Sequence, residues 1–335
     1  MRSPMLKTTA FVTLSGLILT GVAQADVPRV ATDIAPVHGL VARVMQGVGT
    51  PDLVVQPGAS PHGYSMRPSE ALALNQADFV FWMGEALTPW LEGSLETLAA
   101  EAHVIELLHV EGTTTLAFRT GARFVGHEEE GDEHGHEEEE HHEAEHEGEH
   151  EQESSHDEEH DGHDHEGVDP HAWLAPENGK LWLGLIADEL AQFDPENANS
   201  YLKNAADGQA EIEAVVTKIN AALDPLRGGG FVVFHDAYQY FETSFGLSAL
   251  GAISLSDASS PSPSRIAEIR NTVAELGATC VFSEPQFNQG LVATVLDGTN
   301  AKTAVIDPMG TALPLGPQFY PSLLLDLGNR MAGCH

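Results

Sequence analysis

Forty consecutive residues of this chain have nothing to contribute to a hydrophobic core. From His127 to Glu166 there are eleven of the chain's eighteen histidines, twenty-one Asp or Glu, and no Lys or Arg. No aliphatic side chain in that run is larger than Ala144. It cannot bury enough apolar surface to offset the conformational entropy of ordering it. A disordered loop over 127–166 is therefore expected, and whatever folds must fold from the sequences on either side. A solvated acidic spacer would explain the acids but not the histidines. His127, His134, His136, His141, His142, His146, His150, His156, His160, His163 and His165 are spread among the carboxylates, a composition that reads as metal-binding. Imidazole suits zinc, copper and nickel, and neighbouring carboxylates attract any cation.

The other end of the chain sets the compartment. Arg2 and Lys7 give a positive start, Ala10 to Val22 is apolar, and Ala23-Gln24-Ala25 is a small-x-small cleavage pattern before Asp26. This predicts a secretory signal peptide over residues 1–25, with an apolar run short for a membrane span. The formal charge is −36, and the tract's twenty-one acids leave about −15 for the rest. An acidic surface repels phosphate backbones, so nucleic acid is not an expected partner. In an oxidising compartment the only two cysteines, Cys280 and Cys334, read as a disulfide. Such a bridge is worth about 4 kcal/mol on the chain-entropy account. A thiolate metal site is the alternative, but it normally needs four ligands close together.

Outside the tract, apolar runs alternate with amphipathic ones. Strands are expected at Arg29–Thr32, Asp52–Gln56, Ala77–Met83 and His103–Leu107, with helices between them over Pro36–Gln46, from Pro68, and over Pro89–Ala100. Residues 112–126 suit a loop or short hairpin. A helix over Glu177–Phe193 follows the tract. A second helical pattern then runs through 195–223, about 43 Å at 1.5 Å per residue, with Gly208 as a candidate bend. The alternation resumes with strands at Gly230–Phe234, Leu247–Ser254, Cys280–Ser283 and Thr303–Ile306. Repeated strand–helix order predicts an α/β protein of two lobes with mostly parallel sheets. The expected organisation is a lobe over 26–194, one long rigid helix over 195–223, and a second lobe over 224–335.

Ligands of such sheets bind outside the carboxyl ends of the strands. His62 lies in the loop after the second strand, His235 directly follows Val232-Val233-Phe234, Asp307 follows Ile306, and Glu284 follows Ser283. His38 lies past the first strand, and His171 precedes a helix start. Each has an ordinary reading taken singly, as a helix cap, a loop histidine or a satisfied buried imidazole. Separations of 109 and 64 residues between His62, His171 and His235 carry no spacing signal.

Five motifs taken together are more specific. Gly58-Ala-Ser-Pro-His62-Gly-Tyr-Ser-Met-Arg-Pro-Ser69, Asp169-Pro-His171-Ala-Trp-Leu174, Val233-Phe-His235-Asp-Ala-Tyr-Gln-Tyr-Phe241, Glu284-Pro-Gln-Phe287 and Ile306-Asp-Pro-Met-Gly310 occur in this order. In these motifs the chain resembles the metal-specific solute-binding proteins of ABC importers, in particular the ZnuA-type zinc binders. The resemblance implies two α/β lobes joined by one helix, with a Zn2+ ion in the cleft held by His62, His171 and His235. It also implies a His/acid-rich insertion before the second ligand and a disulfide at Cys280 and Cys334. Its implied partner is the membrane permease of a zinc importer in the periplasm. It leaves room for periplasmic metallochaperones, and a monomer is expected.

Three imidazoles and one oxygen suit zinc, whereas manganese is better served by more carboxylates. Some zinc members carry Glu just before the first ligand; here Pro61 cannot coordinate. Water or Asp307 then completes the set. His38 and Glu284 are at most outer partners that orient a ligand imidazole. Two other readings compete with transport. A zinc buffer would work mainly through the tract. A zinc hydrolase would use the open fourth position, but no general base is evident beside a ligand motif.

Overall fold

A computed structural model describes residues 27–119, 123–124, 167–254, 262–286 and 289–334. The signal-peptide expectation and the eleven tract histidines lie outside the described residues. Four parallel strands form the first sheet: β1 (Val30–Thr32), β2 (Asp52–Leu53), β3 (Phe79–Trp82) and β4 (His103–Glu106), in the order β2-β1-β3-β4. The connecting helices are α1 (Ala35–Val44), α2 (Pro68–Gln76) and α3 (Pro89–Leu98), each with proline in its first turn. That position suits proline, whose missing N–H would have no partner there. Helices on the faces explain why β3 is buried at every residue and reads as a continuous apolar run. The second expected strand is cut to two residues. Beyond Leu53 the chain keeps only single backbone bonds, from Val54 to Thr32 and from Val55 to Asp33, as it turns into a Pro/Gly loop.

The second sheet repeats the plan with β5 (Phe231–His235), β6 (Ala249–Ser254), β7 (Cys280–Ser283) and β8 (Lys302–Val305), ordered β6-β5-β7-β8 and all parallel. Its helices are α6 (Gln239–Phe245), α7 (Pro263–Glu275) and α8 (Gln289–Leu296). The protein is thus α/β with two parallel sheets, as the alternation predicts. Ser262 caps α7 by accepting from the Arg265 backbone N–H at 3.2 Å.

Between the sheets in sequence run α4 (Pro176–Phe193) and α5 (Ala198–Leu223), and the chain closes with α9 (Phe319–Ala332). Along α5, Tyr201, Ala205, Gly208, Ile212, Val215, Ile219 and Leu223 form one buried stripe, spaced three and four residues apart. Gly208 does not break the helix. A side chain there would meet Arg43 Cγ and Leu183 Cδ1 at 3.0 Å, so the glycine makes room for close packing. Helix α9 packs on α5 and also on α1. It comes so close that a Cβ on Gly328 would lie 2.9 Å from Ile219, and one on Gly39 would lie 3.0 Å from Phe319. A Cys280–Cys334 disulfide, with Cα atoms 5.9 Å apart, fastens the end of α9 to β7.

Candidate metal centre

The carboxyl ends of both sheets converge on three imidazoles. His62 sits in the loop between β2 and α2, half-buried. That loop is held at two points: the Trp90 indole donates to the Pro61 carbonyl at 2.7 Å, and the Tyr64 hydroxyl donates to Glu70 at 2.9 Å. Glu70 also accepts from the Arg67 backbone at 2.7 Å at the start of α2. Pro61 therefore contributes a carbonyl anchor beside His62.

His171 enters a single 3-10 turn, Ala172–Leu174, that leads into α4. The turn is buried, with the Trp173 indole donating to the Pro308 carbonyl at 2.9 Å and the Tyr320 hydroxyl to the Trp173 carbonyl at 2.7 Å. His171 Nδ1 lies 2.7 Å from Asp169 Oδ1, which also accepts from the His171 backbone N–H at 3.0 Å. Burial pushes the Asp169 carboxyl up to about 7, opposed by that backbone bond and by Arg119, His235 and His62.

His235 ends β5. Its Nδ1 lies 2.6 Å from Glu284 Oε1, at the end of β7, and the Glu284 side chain is fully buried. Glu284 thus lies against the His235 ring, where it can hold the imidazole in place. A carboxylate facing each Nδ1 favours the ring proton there, the tautomer in which Nε2 is the lone-pair donor. The two Nε2 atoms of His171 and His235 face each other at 3.4 Å. Their ring centroids are 5.2 Å apart, and those of His62 and His171 are 6.0 Å apart. Among the described residues no group of three or more His, Cys, Asp or Glu side chains is arranged to hold a metal ion.

Asp307 follows β8, but its oxygens are occupied. They accept from the backbone N–H groups of Met309 at 2.9 Å, Gly310 at 3.1 Å and Thr311 at 2.7 Å, and from the Thr311 hydroxyl at 2.5 Å. His38 is buried in α1 with Nε2 3.2 Å from the Pro51 carbonyl, and burial lowers its pKa. Two features were not foreseen from sequence. Asp169 is one, although its place two residues before His171 in Asp-Pro-His is a signal that could have marked it. The other is a strap that pairs Ala117 with Val168 and Arg123 with Gly251 in antiparallel bridges.

Two parallel four-stranded sheets with surrounding helices are the α/β fold of solute-binding proteins. The family described as zinc-uptake complex component A, periplasmic (ZnuA) matches residues 30–334. The high-affinity zinc uptake system protein ZnuA of Brucella abortus is 46% identical over 308 residues, 91% of each chain. That of Paracoccus denitrificans is 46% identical over 314 residues, 93% of each. A crystal structure of ZnuA shares the fold with a TM-score of 0.69 at 21% identity, covering 92% of this chain and 99% of that one. FpvC from Pseudomonas aeruginosa, in complex with Mn2+, does so with a TM-score of 0.70 at 18% identity, covering 92% and 97%. The chain belongs to the periplasmic ZnuA family of zinc-uptake binding proteins. Among the described residues no helix is long and apolar enough to cross a membrane.

Proposed function

We propose that this protein captures one zinc ion between its lobes with His62, His171 and His235 and delivers it to the membrane permease of an ABC importer. The observation that carries this reading is the 3.4 Å between the Nε2 atoms of His171 and His235, each ring having a carboxylate at Nδ1. Two nitrogens about 2.0–2.1 Å from a tetrahedral zinc lie about 3.3 Å apart. Two lone pairs converging at that spacing repel unless a cation lies between them. Such a cation also holds Asp169 ionised. His62, the more exposed ring, swings in last to supply the third nitrogen. Water is the better fourth ligand, since the Asp307 oxygens already accept four hydrogen bonds. An N3O set favours zinc over manganese.

The His127–Glu166 tract is proposed as an accessory collector that binds zinc weakly and raises its supply to the cleft. Residues 1–25 are proposed as the export signal, which the mass of the exported protein checks by starting at Asp26. A hydrolase is disfavoured. The strings spelling His-Glu-x-x-His, His142–His146 and His146–His150, both fall inside the tract, where repeated His and Glu produce them by composition. Chelator-competition titration tests the reading. The His62→Ala/His171→Ala/His235→Ala chain should lose the tight zinc site and keep weak binding; unchanged tight binding would overturn the assignment.

A further inference from the structure

Arg119 lies outside the ligand motifs, yet its side chain is only 16% exposed and meets two buried carboxylates of the second lobe. Its Nε lies 3.0 Å from both oxygens of Asp236, and its terminal nitrogens reach Glu242 at 2.8 and 2.9 Å. The guanidinium also lies 3.9 Å from the centre of the Phe124 ring. Phe124 in turn donates its backbone N–H to the Leu250 carbonyl of β6 at 3.0 Å. Arg119 belongs to the strap, which is paired to the segment leading into His171: Asp169 N–H donates to Leu116 at 2.8 Å, and Phe118 N–H to Gly167 at 3.2 Å. Tyr240 of α6 grips both strands, its hydroxyl accepting from the Leu116 N–H at 2.8 Å and donating to the Asp169 carbonyl at 2.7 Å.

Two of these anchors adjoin a ligand. Asp236 is the residue after His235, and Asp169 lies two residues before His171. We propose that Arg119 is a positioning residue for the metal centre: it yokes the strap, and with it the paired segment that carries Asp169 and His171, to the turn after His235. It thereby fixes the spacing of two ligands from different lobes. This rests on the cleft reading of zinc binding given above. A fork that holds two carboxylates at once resists both sliding and rotation, which a single ammonium does not. Stability alone is a weaker rationale, because a buried ion cluster is often matched by apolar packing of the same volume.

The test uses the full chain, with Co2+ as a spectroscopic probe whose visible bands report ligand geometry, and with zinc affinity from chelator competition. The variants are Arg119→Lys, the charge-free Arg119→Met/Asp236→Asn/Glu242→Gln, and Arg123→Ala. Arg123 is a control on the same strap, since its partner Glu275 is exposed. Both Arg119 variants should fold and shift the Co2+ bands, and the charge-free one should bind zinc about 10-fold more weakly, the lower end of the loss when an outer partner of a metal ligand goes. Arg119→Lys should recover part of the loss, and Arg123→Ala should match wild type. Folded Arg119 variants with wild-type bands and affinity would overturn the yoke. So would failure of the charge-free variant to fold beside a normal Arg123→Ala, which would assign Arg119 to stability. A His235→Ala chain separates the two ideas. If it keeps the wild-type bands, the cleft reading itself fails. If it loses them while Arg119→Lys keeps them, only the yoke is wrong.

Discussion

Replacing Glu284 with Gln should weaken zinc binding without weakening the fold. Glu284 is fully buried, 2.6 Å from His235 Nδ1 and 3.3 Å from the Gln286 amide. Glutamine keeps the shape and one acceptor facing Nδ1. It removes the charge that makes His235 a stronger base and halves the strength of the hydrogen bond. Loss of an outer-shell partner lowers metal affinity by about 10–100-fold, or roughly 1.4–2.7 kcal/mol. The metal-free fold gains on desolvation what it loses in hydrogen bonding, so its stability should stay within about 1 kcal/mol. Chelator competition on a chain lacking 127–166 reads the first quantity, and urea unfolding of the metal-free protein reads the second. Wild-type zinc affinity in the variant would refute the orienting role, and so would a loss of affinity no larger than the loss of stability.

Other expectations follow from the packing and from burial. Trp90→Phe removes the indole bond to Pro61, so zinc affinity should fall several-fold through a looser His62 loop, at a stability cost of about 1 kcal/mol; equal affinity in the same titration would count against the anchor. Gly328→Ala places a methyl 2.9 Å from Ile219 and should cost about 1–3 kcal/mol of thermal stability without altering zinc affinity once folded. Burial pushes the Asp33 carboxyl from 3.8 up to about 7, so the folded protein holds a proton that the unfolded chain releases. That stabilisation is complete below 3.8 and is lost as pH rises through about 7. The metal-free protein should therefore lose stability relative to Asp33→Asn between about pH 4 and 7, and a flat difference in urea unfolding would contradict it.

Local patterns made most of the fold legible. Cys280–Ser283 forms the strand its apolar run predicts, and the strand ends place His235 and Glu284 side by side. His62, His171 and His235 could be named as candidates because whole motifs, rather than spacing, single them out. Long-range packing was not legible. Arg119 meets Asp236 and Glu242 across 117 and 123 residues of sequence, and no periodicity encodes such a pair. Nor does the sequence show that Gly208 makes room for Arg43 and Leu183 within an unbroken helix. The occupied oxygens of Asp307 depend on a turn whose hydrogen bonds exist only once the chain folds.

The most direct test of the account is an anomalous difference map at the zinc edge, from crystals of the chain lacking 127–166 grown with one equivalent of zinc. The account predicts one peak between the Nε2 atoms of His171 and His235, about 2.0–2.1 Å from each, with His62 drawn in as the third ligand. A peak elsewhere, or none in this cleft, would contradict it.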